Sequence, residues 1–155
     1  MTVLQAGDKA PEFIGKEQSG KEISSKDFKG KKLVVYFYPK DNTPGCTAQA
    51  CNLRDNYAAL LAKGIAIVGV SMDTEVSHRK FADKFELPFP LIADTDKSVI
   101  EAFGVWGPKK FMGREYDGIH RTTFAIDENG IIAGVISKPK TKDHAREILE
   151  IFGEK

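Results

Sequence analysis

The sequence predicts an α/β domain around a buried sheet of mixed strand direction, and three observations carry that expectation. Leu33 to Tyr38 (Leu-Val-Val-Tyr-Phe-Tyr) and Ile65 to Val70 (Ile-Ala-Ile-Val-Gly-Val) are continuous apolar runs, the pattern of strands buried on both faces. The interval between them is helix-sized, which implies a right-handed βαβ unit and parallel pairing. Thr122 to Ile126, the turn Asp127-Glu-Asn-Gly130 and Ile131 to Ile136 then form a hairpin signal, so antiparallel strands join the same chain.

The remaining elements follow in order. Pro39 closes the first strand, Thr43-Pro44-Gly45 reads as a turn and helix start, and Thr47 to Leu61 reads as the crossover helix. A second helix is expected from about Thr74 to Phe85, with Val76, Phe81 and Phe85 on its apolar face, ending before Pro88 and Pro90. Leu91 to Ala93 is a short strand, and Ser98 to Phe103 a short helix stopped by Gly104. From Lys142 onward, Ala145, Ile148, Leu149 and Phe152 recur at helical spacing and predict an amphipathic closing helix. A βαβ unit, a hairpin and a helix outline a thioredoxin-like α/β fold with extra segments at the N-terminus and between the halves. No repeat or linker divides the chain, and one domain over residues 1–155 is expected.

With 23 Lys and Arg against 22 Asp and Glu, the net charge is +1, and nothing calls for nucleic acid or an anionic membrane as partner. The lysine groups at Lys29, Lys31 and Lys32, at Lys109 and Lys110, and at Lys138, Lys140 and Lys142 read as solvated surface. No Gly-rich phosphate loop is present. The apolar runs are too short to span a bilayer, and Met1 to Ala10 contains Asp8 and Lys9 without an apolar stretch, so a cytoplasmic location is expected.

Chemistry concentrates in the two cysteines, Cys46 and Cys51. Cys46 stands at a helix start, where unpaired N–H groups and the helix dipole favour a thiolate. There a thiol pKa falls from about 8.5 toward roughly 3.5 to 7.5. Residues five apart on an ideal helix are separated by a rise of ~7.5 Å and a turn of ~140°, which puts their Cα atoms roughly 8 to 9 Å apart. A disulfide requires less than about 7 Å. The pair can therefore bond only if the first turns of the helix unwind. In a reducing compartment such a pair is catalytic, redox-sensing or metal-binding. The absence of Cys-x-x-Cys and the scatter of His78, His120 and His144 argue against zinc; no metal and no cofactor are expected. The histidines read as surface or core-packing residues, and Trp106 and Phe111 as packing residues. Taken singly, Cys51 reads as a buried small hydrophobe, Arg121 as the partner of a surface carboxylate, and Thr43 as an N-cap.

Together these residues form a recognisable pattern. Pro39, Thr43 and Cys46 fit the Pro-x-x-x-Thr-x-x-Cys motif of peroxiredoxins. Pro44-Gly-Cys-Thr-Ala-Gln-Ala-Cys51 with Leu53-Arg-Asp55 resembles the bacterioferritin comigratory protein, or peroxiredoxin Q, subgroup. Phe103-Gly-Val-Trp-Gly107, Phe111-Met-Gly113, Tyr116-Asp-Gly-Ile-His-Arg121 and Thr123-Phe124 extend the resemblance over nearly the whole chain. It implies a thioredoxin-fold thiol peroxidase in which Cys46 is the peroxidatic and Cys51 the resolving cysteine. It further implies that Thr43 and Arg121 hold the peroxide, that Pro39 shields the site, that thioredoxin or a similar dithiol protein is the reductant, and that the protein is a monomer. Other peroxiredoxin branches often carry Glu three residues after the peroxidatic cysteine; Gln49 stands there in this chain.

Peroxide reduction is a displacement at oxygen, requiring a thiolate, an aligned O–O bond and stabilisation of the departing oxide. Cys46 supplies the first, the Thr43 hydroxyl can exchange a hydrogen bond with the peroxide, and Arg121 can donate to its oxygen. Gly45 lets substrate approach the main chain closely. A competing reading is a non-enzymatic redox sensor or holdase that uses the same helix-unwinding disulfide. A Cys-His hydrolase would need a base beside Cys46, and the sequence identifies none.

Overall fold

A computed structural model describes residues 2–153 and makes the two apolar runs neighbouring strands at the centre of one sheet. In chain order the elements are β1 (Ile14–Lys16), β2 (Glu22–Ser24), a 3-10 turn (Ser25–Phe28), β3 (Lys32–Phe37), α1 (Pro44–Asp55), α2 (Tyr57–Ala62), β4 (Ile65–Ser71), α3 (Glu75–Phe85) and β5 (Leu91–Ala93). They continue with α4 (Ser98–Ala102), β6 (Trp106–Phe111), β7 (Arg114–Ile119), β8 (Thr122–Ile126), β9 (Ile132–Ile136) and α5 (His144–Ile151). The central sheet has the order β5-β4-β3-β8-β9, with β3, β4 and β5 parallel and β8 and β9 running against their neighbours. This is the expected mixed sheet flanked by helices.

Burial on both faces explains the unbroken apolar character of β3. Leu33, Val35 and Phe37 enter a core with Ile92, Phe103 and Phe124, while Val34, Tyr36 and Tyr38 enter a second core with Cys46, Leu53, Leu60, Phe81 and Ile148. The second core lies under α1 and α5, so the cysteine-bearing helix is seated on apolar packing from the strand that precedes it.

Four local features depart from the sequence reading. The crossover helix begins at Pro44 rather than Thr47 and breaks at Asn56 (φ −108°, ψ 5°), where the Asn56 side chain donates to the Asn52 carbonyl. A side-chain amide that competes for a helix carbonyl interrupts the ladder there. On α3 the buried face carries His78, Phe81 and Ala82, and Val76 is 53% exposed; a histidine occupies the core position that apolar pattern matching gives to valine. The β6–β7 hairpin was not expected, since its strands carry charges and Pro108 and its tight turn is Met112 (φ 52°)–Gly113 (φ 80°) rather than an Asn-Gly pair. Phe111 on that hairpin is 65% exposed, not packed, whereas Trp106 does pack against the core beneath the Lys97 ammonium. Finally, the N-terminal segment forms the β1–β2 hairpin, where a Cβ added at Gly15 would lie 2.5 Å from Ile92 Cγ2. Only glycine permits that approach.

Candidate active site

The site forms where β3 delivers the chain into α1. After Tyr38, whose amide donates to the Val70 carbonyl at 3.1 Å, residues 39–43 cross the C-terminal end of the sheet and Thr43 becomes the N-cap of α1. Pro44 occupies the first helical turn, where its missing N–H costs nothing. Cys46 follows on the buried face of that turn and is only 2% exposed. The Thr43 hydroxyl does not cap the helix. It donates to the Lys40 carbonyl at 2.9 Å, so its lone pairs remain available as acceptors for a hydroperoxide O–H. Pro39 stands half-buried at the start of the same loop.

Arg121 reaches the site through sheet register. Thr122 is the partner of Phe37 across the antiparallel β3–β8 pair, which sets residue 121 beside the end of β3 although it lies 75 positions after Cys46. Its Nη2 donates to Cys46 Sγ at 3.2 Å and its Nη1 to Gln49 Oε1 at 2.7 Å. Gln49 accepts this hydrogen bond through a neutral amide oxygen, where a glutamate would bring a negative charge beside the guanidinium. The same contact is close at Gly45: a Cβ there would stand 3.2 Å from Arg121 Nη2, so the guanidinium would have to shift by a few tenths of an ångström.

Cys51 lies further along the same helix, half-buried, and both cysteines are free thiols. Lys109, read from the sequence as solvated surface, is half-buried on β6 and donates to the Ile119 carbonyl at 2.8 Å; burial, and then the Arg121 charge, hold its ammonium below the ordinary lysine range. Beneath α1, burial pushes the Tyr36 phenol well above its ordinary value, with the Cys46 charge adding to the shift. The histidines His78 and His144 are fully buried in hydrogen-bonded positions. Cys46 Sγ thus takes its hydrogen bond from a guanidinium, which stays protonated and cannot serve as the base that a Cys-His hydrolase needs. A cavity of about 430 Å³ lined by Glu12, Phe13, Ser24, Lys26 and Ser98 contains none of these residues. No helix among the described residues is long and apolar enough to cross a membrane.

The geometry therefore joins Thr43, Gly45, Cys46 and Arg121 at one helix start, with Cys51 on the same helix and Pro39 at the head of the loop that leads into it. Gln49 was legible as a motif position, but its bond to Arg121 was not. Comparison with known proteins identifies the family. The family model described as AhpC/TSA matches residues 6–135. The chain is 49% identical over 150 residues to a putative peroxiredoxin Bcp of Haemophilus influenzae, covering 97% of each chain. It is 48% identical over 154 residues to peroxiredoxin Bcp of Escherichia coli, covering 99% of each. Among solved structures it resembles the bacterioferritin comigratory protein of Xanthomonas campestris, studied for alkyl peroxide reduction in trapped-intermediate and ligand complexes, with a TM-score of 0.86, 30% identity, and coverage of 99% of this chain and 98% of that one. The chain belongs to the AhpC/TSA family, in its Bcp or peroxiredoxin Q branch, and is a thiol peroxidase.

Proposed function

We propose that the protein is a thioredoxin-dependent peroxidase of the two-cysteine kind, with Cys46 peroxidatic and Cys51 resolving. The Cys46 thiolate attacks the distal oxygen of a hydroperoxide; the O–O bond breaks, a proton joins the departing oxide, and the products are a Cys46 sulfenic acid and water or an alcohol. Thr43 Oγ1 accepts the hydroperoxide proton in a hydrogen bond and aligns the O–O axis, Arg121 stabilises the charge in flight, and Pro39 limits water at the pocket. The Cys51 thiol then displaces water from the sulfenic acid to give the Cys46–Cys51 disulfide. Thioredoxin, or a similar dithiol protein, returns both thiols and is itself oxidised. Hydrogen peroxide and small organic hydroperoxides are the substrates of this reading, which also takes the chain as a single-domain cytoplasmic monomer with no cofactor.

The observation that carries the reading is the 3.2 Å bond from Arg121 Nη2 to Cys46 Sγ at a helix start, with a second free thiol on the same helix. A steady-state assay with peroxide, thioredoxin, thioredoxin reductase and NADPH tests it. Sustained NADPH consumption that disappears in Cys46→Ser is expected. Peroxide consumed once per chain without NADPH turnover would instead leave a sensor with a disulfide switch.

A further inference from the structure

A polar cluster with no part in the steps above lies under the loop of residues 39–43. Asp41 is the buried residue of that loop, and its carboxylate is held from three directions. The Tyr38 hydroxyl donates to Oδ1 at 2.6 Å, the Ser77 hydroxyl donates to Oδ2 at 2.8 Å, and His78 Nδ1 lies 2.7 Å from Oδ2. The Asp41 amide donates to Asp73 Oδ2 at 2.7 Å, which also accepts from the Ser71 hydroxyl at 3.0 Å. The His78 ring is fully buried, and its Nε2 faces the Ile92 carbonyl at 2.9 Å. A carbonyl only accepts, so Nε2 carries a hydrogen, and Nδ1 and Asp41 share a further one. The ligand atoms of Asp41, Asp73 and His78 all lie within 4.8 Å of one another. The 2.7 Å Nδ1 to Oδ2 separation is nevertheless that of a hydrogen bond, and Asp73 Oδ2 already has two donors, so the cluster is a proton-sharing clamp rather than a metal site.

We infer that Asp41 and His78 are positioning residues that fix the 39–43 loop, and through it Thr43 at the N-cap of α1; the inference rests on the site reading proposed above. Otherwise the loop is held by the Lys84 ammonium, which donates to Asn42 Oδ1 at 3.4 Å, and by its own Thr43 to Lys40 hydrogen bond. Lys40 and Asn42 are exposed, and Asn42 takes a left-handed backbone (φ 60°). The clamp's anchors come from the ends of β3 and β4 and the start of α3, none of which contains a cysteine. The loop therefore stays in place while α1 unwinds for disulfide formation, and the peroxide pocket re-forms around an unmoved Thr43.

The test measures two rates on the full-length reduced protein: the second-order reaction with peroxide, and alkylation of Cys46 by iodoacetamide. Alkylation needs the thiolate but no aligned O–O bond. Asp41→Ala and His78→Ala are expected to slow peroxide reduction by roughly tenfold to a hundredfold, the range for misplaced reacting groups, with alkylation unchanged. Asp41→Asn, whose amide can accept from Tyr38 and donate to His78, should restore most of the peroxide rate. Where the alanine variants do not fold, Tyr38→Phe carries the test, with a loss of roughly two- to tenfold for one hydrogen bond. Equal losses in both rates, or an unchanged peroxide rate in folded variants, would overturn the clamp while leaving Cys46 chemistry intact. Peroxide reduction surviving in Cys46→Ser would overturn the site reading itself.

Discussion

Arg121 is the residue on which the electrostatics of the site converge, bonded at once to the nucleophile and to Gln49. On the role proposed for Arg121, stabilising the departing oxide, Arg121→Ala should slow peroxide consumption by about 10²- to 10³-fold, the loss seen when a single oxyanion donor is removed. Stopped-flow measurement of the reduced protein checks this, and an unchanged rate would remove Arg121 from the mechanism. The cysteines are separable by step. Cys51→Ser should reduce one equivalent of peroxide and then accumulate sulfinic acid at Cys46, since no internal thiol intercepts the sulfenic acid, whereas Cys46→Ser should do neither. Intact-mass spectrometry after peroxide treatment distinguishes the two, and oxidation appearing first at Cys51 would reverse the assignment.

At the scale of the element, α1 must melt for the disulfide to form, because both cysteines ride on one unbroken helix. The break at Asn56 sets the boundary of that melting. Amides from Cys46 to Asp55 should exchange faster in the oxidised protein, while α2 beyond the break and strands β3 and β4 remain protected in both redox states. Equal exchange across α1 in both states, with the disulfide confirmed by mass, would end the argument for a helix switch. The same helix anchors α5. Asn52 Oδ1 accepts from the Ala145 amide at 2.8 Å, and Asn52 Nδ2 donates to the Lys142 carbonyl at 3.0 Å. Since Asp143 gives no side-chain cap, Asn52 caps α5 from a distance. Asn52→Ala should cost the reduced protein about 1 kcal/mol in denaturant unfolding, and less once oxidation has already loosened α1.

For the whole molecule, pH dependence follows from the buried His144, whose Nε2 lies 2.9 Å from Thr123 Oγ1 and whose Nδ1 lies 2.9 Å from Glu147. Burial pushes its pKa below the ordinary histidine value of 6.5, outweighing the opposite pull of Glu147. The folded protein therefore binds fewer protons at this site than the unfolded chain does. The stability from this site is fully present above about pH 6.5 and is lost as pH falls toward the folded value, with a slope of at most about 1.4 kcal/mol per pH unit. Chemical denaturation between pH 5 and 8 should show that slope in the native sequence and a flatter curve in His144→Gln. Identical curves would mean that the imidazole titrates alike in the folded and unfolded chain.

How far the fold could be read in advance depended on how local each signal was. The apolar runs of β3 and β4, the β8–β9 hairpin and the closing helix were legible because burial on one or two faces writes itself into residues that lie next to one another. The Pro39, Thr43, Cys46 and Cys51 spacing was legible for the same reason, since loop 39–43 and α1 are continuous chain. Arg121 could be named only through a family resemblance; what brings it to Cys46 is the antiparallel register that pairs Phe37 with Thr122. The β6–β7 hairpin stayed hidden because its mostly exposed strands need no apolar alternation; a core-packing role was open for His78, but its hydrogen-bond partners were not legible. Asp41 meets Ser77 and His78, and His78 in turn meets the Ile92 carbonyl, more than fifty residues of chain beyond Asp41. Hydrogen-bond complementarity between distant side chains leaves no periodicity in sequence, whereas burial of a strand or helix face does.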